Sequence, residues 1–220
     1  MVLLSPSVEA LRGLLRVCET FAETHGLSYN TKKSEVMVFN VGRKTTDCPQ
    51  HIATLRGIPL KRVTQFKYLG HIVTEDLSDN LDMERERRAL AVRCGVVALR
   101  FAKCNAEVKV TLFRAFCQTF YTCSLWVNYT ARAAGALRVQ YNNAFRALMG
   151  LPRFCSASGM FANANVDDYY AIIRKRTASL MRRVRCSPNG VMNIIANKLE
   201  SPIWVHWYEL HVSNNVGLEK

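Results

Sequence analysis

The stretch of residues 26–70 constrains the fold most, because it breaks a largely helix-forming sequence into short extended segments separated by turn residues. An amphipathic helix is predicted over residues 7–25, where apolar residues recur three and four positions apart. Gly26 follows it directly, and glycine at that point is typical of a left-handed helix end. The sequence therefore predicts a helix that stops abruptly and leads into a small sheet.

The rest of the stretch alternates strands with turns. Asn30 and Lys33 are expected in a turn before a strand over residues 35–39. After an exposed polar turn over residues 41–49, short antiparallel strands are expected over residues 51–55, 58–60 and 66–73, with Lys61-Arg62 in a turn. Gly70 interrupts the last of these, which is typical of a tight hairpin where another backbone passes close.

Two motifs in this region stand in a defined order and spacing. The first reads Gly-Leu-x-x-Asn-x-x-Lys-Ser over residues 26–34, and the second reads Phe-x-Tyr-Leu-Gly over residues 66–70. Together they resemble the palm of reverse transcriptases of non-LTR (LINE-type) retrotransposons, which are RNA-directed DNA polymerases. The resemblance implies that Gly26 and Asn30 shape the first motif, and that Lys33 borders the incoming nucleotide as a proton donor or charge stabiliser. It also implies a primer grip made of Phe66, Tyr68, Leu69 and Gly70.

The resemblance further implies that the catalytic aspartates of the family lie before residue 1, since residues 1–5 resemble the strand that leaves their hairpin. We therefore expect no metal site or cofactor in this chain, although the intact family enzyme uses Mg²⁺, and no polymerase activity from the chain alone. The missing N-terminal palm and fingers would be an intramolecular partner in a full-length protein. The adjacent aspartates Asp167-Asp168 fall in a helical period, which favours a role in a helix's first turn.

The charge balance points to a polyanionic partner. The chain carries 30 basic and 17 acidic residues, for a net charge of +13. Such an excess favours nucleic acid, with RNA and RNA/DNA hybrid as the expected partners, although a generally basic surface without a partner is the alternative. The candidate nucleic-acid-binding residues are Arg85, Arg88, Arg93, Lys103, Arg174, Lys175, Arg182 and Arg183.

Beyond Asp79 the pattern is helical throughout. A stripe of Ala89, Val92, Val96 and Leu99 predicts the apolar face of the first helix. Further helices are predicted over residues 107–127, 133–149, 166–186, 191–199 and 202–210, with a loop over 151–165. The predicted fold class is α+β: a small antiparallel palm-remnant sheet with one helix, then a mostly α-helical thumb and C-terminal region. The corresponding domains are residues 1–76, 77–130 and 131–220.

Cysteine usage and hydropathy bear on the compartment. Eight cysteines are present without a Cys-x-x-Cys pair, so we expect reduced, buried thiols rather than a disulfide framework or a zinc site. No apolar run approaches the roughly 20 residues that a membrane span requires, and no signal peptide is recognised. The sequence predicts a soluble intracellular protein, nuclear or cytoplasmic.

Two other functions are compatible with the sequence. The chain is interpreted first as a reverse transcriptase fragment that contributes primer and template contacts. A stand-alone basic helical module that binds RNA or DNA, and a transposon remnant without function, are the alternatives.

Overall fold

A computed structural model describes residues 1–39 and 52–212 of the chain. The chain forms two compact units, one made of residues 1–68 and 72–78, the other of residues 69–71 and 79–220. The first unit contains one long helix and short strands, and the second is helical. The predicted α+β class with mostly helical content is confirmed.

The helix of the first unit, α1, runs Val8–Thr24 and matches its prediction. Its N-terminus is capped by Ser7, whose side chain accepts a hydrogen bond from the backbone N–H of Ala10. Beyond its C-terminus Gly26 has a φ of +64°, the left-handed conformation that the sequence predicts. Leu15 of α1 is buried in a cluster with Val36 of β1, Leu55 of β2 and Ile52, and this cluster is the unit's core.

Among the described residues, the strands are shorter than predicted and form three two-stranded sheets, which pair β1 with β4, β2 with β3 and β5 with β6. Their bounds are β1 Glu35–Val36, β2 Thr54–Leu55, β3 Ile58–Pro59, β4 Lys61–Arg62, β5 Gln65–Tyr68 and β6 His71–Thr74. The turn predicted over residues 41–49 lies outside the described residues.

Two predictions about these strands are wrong. Lys61-Arg62 forms a strand rather than a turn, and β4 pairs with β1 in parallel rather than antiparallel fashion. The register places Glu35 opposite Lys61, whose Nζ lies 3.8 Å from the Glu35 carboxylate. The paired residues are 26 positions apart in the sequence, so no local pattern of residues indicates that these two strands pair.

The second unit contains seven helices within the described residues. They are α2 Asn80–Arg100, α3 Ala106–Cys117, α4 Ala131–Met149, α5 Ala157–Asn163, α6 Tyr169–Arg185, α7 Gly190–Asn197 and α8 Pro202–Val212. The core lies where α2, α3 and α4 pack together, and aromatic rings fill its centre. Phe113 of α3 lies between Tyr141 and Phe145 of α4, with ring centroids 5.2 and 4.9 Å away, which are distances typical of favourable edge and tilted contacts.

The buried face of α2 differs from the predicted one. Val92, Val96 and Leu99 are exposed, and Leu99 retains 83% of its accessible surface. The helix instead buries Asp82, Met83, Glu86, Leu90, Cys94 and Val97. Hydrophobic periodicity pointed to the wrong face because the packed face carries two carboxylates, which ion pairs satisfy inside the protein.

Of the other helix predictions, some agree with the structure and others do not. The helix predicted over 107–127 ends at Cys117, and a 3₁₀ turn follows at Cys123–Leu125. The loop predicted over 151–165 contains α5, in which Met160 and Phe161 are buried. The helices predicted over 133–149 and 202–210 are confirmed, and the former ends at Gly150 with a φ of +67°.

Across the described ranges, no helix has both the length and the apolar character that crossing a bilayer demands.

Candidate nucleic-acid interface

Lys33 belongs to a short structured turn in the first unit. Residues Thr31–Lys33 form one 3₁₀ turn, and the side chain of Asn30 accepts a hydrogen bond from the backbone N–H of Lys33 at 3.1 Å. The Lys33 side chain is exposed. Asn30 therefore fixes the backbone of the turn, and the ammonium group faces solvent.

The hairpin formed by β5 and β6 carries the second motif. Leu69 and Gly70 have φ values of +46° and +88°, the two positive angles of a type I′ turn. Phe66 and Tyr68 lie on the same side of β5, with ring centroids 6.5 Å apart, and both rings are partly exposed. A Cβ added to Gly70 would lie 2.9 Å from the ring of Tyr121, so the close neighbour is an aromatic side chain rather than the backbone that the sequence predicts.

Two of the arginines predicted on α2 bind buried carboxylates. The Nε of Arg85 lies 2.7 Å from Asp82, and its Nη1 lies 3.2 Å from Glu86. Arg93 also pairs with Glu86. Because Asp82 and Glu86 are fully buried, their charges require these partners, and the guanidinium groups are committed to holding the helix in place.

Of the two remaining predicted cations near α2, one pairs with an acid and the other is exposed to solvent. Glu84 accepts hydrogen bonds from Arg87 and Arg88, and these two guanidinium groups lower the pKa of the Glu84 carboxyl to about 2. Lys103 lies beyond the end of α2, exposed to solvent. Four of the five arginines of α2 are therefore paired with acids of the same helix.

Helix α6 has a different charge pattern. It holds six cations and no acid: Arg174, Lys175, Arg176, Arg182, Arg183 and Arg185. The two aspartates just before it have local roles, since Asp168 caps the helix by accepting from the Ala171 N–H, and Asp167 pairs with Lys175 at 2.6 Å. The sequence predicts these aspartates in the first turn of the helix, but both precede it, and the first turn of α6 contains no acid.

The arginines of α6 are not neutralised by acids within the described part of the chain. No ion pair joins a carboxylate in residues 1–39 or 52–212 to Arg174, Arg176, Arg182, Arg183 or Arg185. The buried side of α6 consists of Tyr169, Ile172, Ile173, Thr177 and Val184. These residues pack α6 against the rest of the second unit, and the cations lie on the sides of the helix that face solvent.

Sequence reasoning missed two cation–aromatic contacts that flank this surface. The guanidinium of Arg138, on α4, lies 5.8 Å from the centre of the Tyr170 ring. At the other end of α6, the guanidinium of Arg185 lies 4.7 Å from the centre of the buried Trp204 ring on α8. These pairs join different helices, so no local spacing signals them.

A metal site is not formed by the side chains in the described ranges, where no group of three His, Cys, Asp or Glu residues is placed to hold an ion. The predicted residues that come together are those of α6, whereas the cations of α2 divide between ion pairs and solvent. Comparisons with protein-family models, with curated proteins and with solved structures find no match to this chain.

Proposed function

We propose that this chain binds nucleic acid through the cationic surface of α6, as the primer- and template-contacting part of a non-LTR reverse transcriptase. The single observation that carries the proposal is the contrast between two helices of the same unit. On α2 four of the five arginines are paired with Asp82, Glu84 and Glu86, whereas on α6 five arginines have no carboxylate partner among the described residues.

The spacing on α6 suits a linear polyanion. Arg176 and Arg183 are seven residues apart, so they lie on one side of the helix about 10 Å apart, and neither has a carboxylate partner among the described residues. Like charges this close repel one another, and a phosphate backbone relieves the repulsion while releasing its own counterions. RNA and RNA/DNA hybrid are the proposed ligands, and the link to a polymerase rests on the sequence motifs at residues 26–34 and 66–70.

The role that we propose is one of binding rather than of catalysis by this chain alone. The adjacent aspartates are engaged in capping α6 and in pairing with Lys175. Lys33 and the exposed rings of Phe66 and Tyr68 would then contribute contacts to a primer terminus and nucleotide. A primer-extension assay with the purified chain is expected to give no templated product.

The test compares two double variants that remove equal charge. Arg182→Gln/Arg183→Gln takes two unpaired cations from α6, and Arg87→Gln/Arg88→Gln takes two that are paired with Glu84 on α2. We measure affinity for an RNA/DNA hybrid by fluorescence anisotropy over a series of salt concentrations. The α6 variant is expected to lower the slope of log K against log salt by roughly 1.5, because about 0.7–0.9 counterions are released per contact.

The α2 variant serves as the control, since it lowers the net charge by the same two units. Its slope is expected to change much less than that of the α6 variant. Equal changes in the two slopes would show that binding follows overall charge, and an unchanged α6 variant would overturn the proposed surface altogether.

A further inference from the structure

One flank of α6 alternates aromatic, cationic and apolar side chains. Tyr170, Arg174, Ala178, Met181 and Arg185 follow one another at intervals of four, four, three and four residues. On a helix this spacing places them in one row along a single side, about 22 Å long. We call these five residues the α6 row.

Each end of the α6 row brings an arginine against an aromatic ring. Arg138 of α4 lies over Tyr170 at the first end, and Arg185 lies over Trp204 at the last. Trp204 is buried, whereas Tyr170 keeps 45% of its accessible surface. The two ends therefore differ: one ring belongs to the core, and the other is open to a ligand.

The two consecutive tyrosines at the start of α6 divide their roles. Tyr169 is buried in the core, where the centre of its ring lies 5.9 Å from that of Phe120. Tyr170 faces outward, and the centre of its ring lies 5.3 Å from that of Tyr169 in an edge-on contact. The exposed part of the Tyr170 ring lies near cations rather than in the apolar core. It does offer a flat surface on which a planar base can stack, with Arg138 and Arg174 close by for phosphates.

We infer that the α6 row binds single-stranded nucleic acid, with a base stacked on Tyr170 and the backbone held by Arg174 and its neighbours. The inference rests on the proposed function and narrows its ligand. In a duplex the faces of the bases are covered by their own stacking, so a protein ring cannot reach them without opening the helix. A single strand presents every base face, and an aromatic ring beside a cationic groove recognises it without regard to sequence.

The experiment measures the affinity of Tyr170→Leu and Tyr170→Phe for three fluorescent ligands at one salt concentration: a uridine 12-mer RNA, a thymidine 12-mer DNA and a blunt 12-base-pair DNA duplex. Tyr170→Leu is expected to bind the single strands roughly tenfold more weakly, because one base–ring stack is lost. Its affinity for the duplex is expected to stay unchanged. Tyr170→Phe keeps the ring and is expected to bind like the original chain.

The matched control is Phe154→Leu, which removes an aromatic ring that is 90% exposed and lies outside the α6 row. It is expected to leave all three affinities unchanged. A second variant, Tyr170→Trp, enlarges the stacking surface and is expected to bind the single strands at least as tightly, with its added indole fluorescence quenched by the ligand. Thermal unfolding of each variant checks that the fold is retained.

The outcomes separate this inference from the proposed function. An equal loss on single strands and duplex, or no loss on either single strand, would overturn the inference. If the Tyr170 result overturns the inference but Arg182→Gln/Arg183→Gln still lowers the affinity for nucleic acid, the proposed function stands and only the stacking role of Tyr170 fails. If that arginine variant is also silent, the α6 surface is not the binding site. A loss on RNA and DNA alike supports stacking on the base, and a loss confined to one supports the inference for that polymer.

Discussion

The indole N–H of Trp126 donates a hydrogen bond to the carboxylate of Asp82, 44 residues earlier in the chain, at 2.8 Å. The same oxygen accepts from the hydroxyl of Thr122 at 2.8 Å, and Arg85 holds the other oxygen. Asp82 is fully buried, so its negative charge depends on the polar groups around it, which also include His71, whose Nδ1 lies 3.1 Å from the carboxylate. One side chain thus ties α2 to the segment that follows α3.

Asp82→Ala is expected to destabilise the second unit by about 3–5 kcal/mol, because it leaves Arg85 and the Trp126 N–H without their shared partner. The free energy of unfolding is measured with urea by tryptophan fluorescence. The chain has three tryptophans, Trp126, Trp204 and Trp207, all in the second unit, so the signal reports on that unit. Glu84→Ala, on the exposed side of the same helix, is the control and is expected to cost less than about 1 kcal/mol.

Asp79→Asn is expected to have a pH-dependent cost. Burial raises the pKa of Asp79 above its usual value, although the N–H groups of Val127 and Asn128 donate to its carboxylate. The folded unit therefore holds this proton more tightly than the unfolded chain does. The stability that Asp79 contributes is fully present below its unfolded pKa of 3.8 and declines as the pH rises through the folded value.

The cost of Asp79→Asn should therefore be largest near pH 4 and fall as the pH rises, when urea unfolding curves of the variant and the original chain are compared. Glu84→Gln provides a comparison of opposite sign. The pKa of Glu84 is lowered to about 2 by Arg87 and Arg88, so the stability it contributes is present above pH 4.5 and is lost as the pH falls through 2. A cost of Asp79→Asn that rises with pH would contradict the raised pKa.

Two glycines at α4 are expected to respond to alanine in opposite directions. Gly150 ends the helix with a φ of +67°, where an L side chain costs roughly 1–2 kcal/mol, so Gly150→Ala should destabilise the unit by about that amount. Gly135 lies within α4, and a Cβ there would meet no atom within 4 Å. Gly135→Ala should stabilise the unit by roughly 0.5–1 kcal/mol. Thermal unfolding of both variants is the measurement, and equal signs would refute the assignment of the helix end.

Thiol reactivity should separate the described cysteines by position. Cys186 is exposed just beyond α6, whereas Cys94, Cys117 and Cys123 are buried. Burial also raises the pKa of Cys123 to about 12, which removes the reactive thiolate at neutral pH. Peptide mass spectrometry after brief iodoacetamide treatment at pH 8 should find Cys186 alkylated first and these three cysteines protected until urea is added. Early alkylation of Cys117 would contradict the packing of α2 against α3.

Local signals in the sequence predicted much of the helical structure. Ser7 as a cap, Gly26 and Gly150 as left-handed helix ends, and the apolar spacing of α4 all act over a few residues, so each can be recognised in isolation. The same holds for the run of cations on α6, which no acid interrupts. These features needed no knowledge of the rest of the fold.

The features that sequence reasoning missed all depend on distant partners. The buried face of α2 is polar at Asp82 and Glu86, and only their pairing with Arg85, Arg93 and Trp126 makes that burial favourable. The parallel pairing of β1 with β4 is likewise set by tertiary contacts. For the candidate site, the cations could be located from the sequence, but which of them are neutralised by acids could not.

The crowding of positive charge on α6 has a practical consequence for handling the protein. Dilute buffer leaves the mutual repulsion of these arginines unscreened, so the fold should be weakest there and gain from added electrolyte. Electrolyte also displaces any phosphate chain carried over from the cell. Washing the preparation free of such contaminants and preserving its structure are thus achieved by the same step.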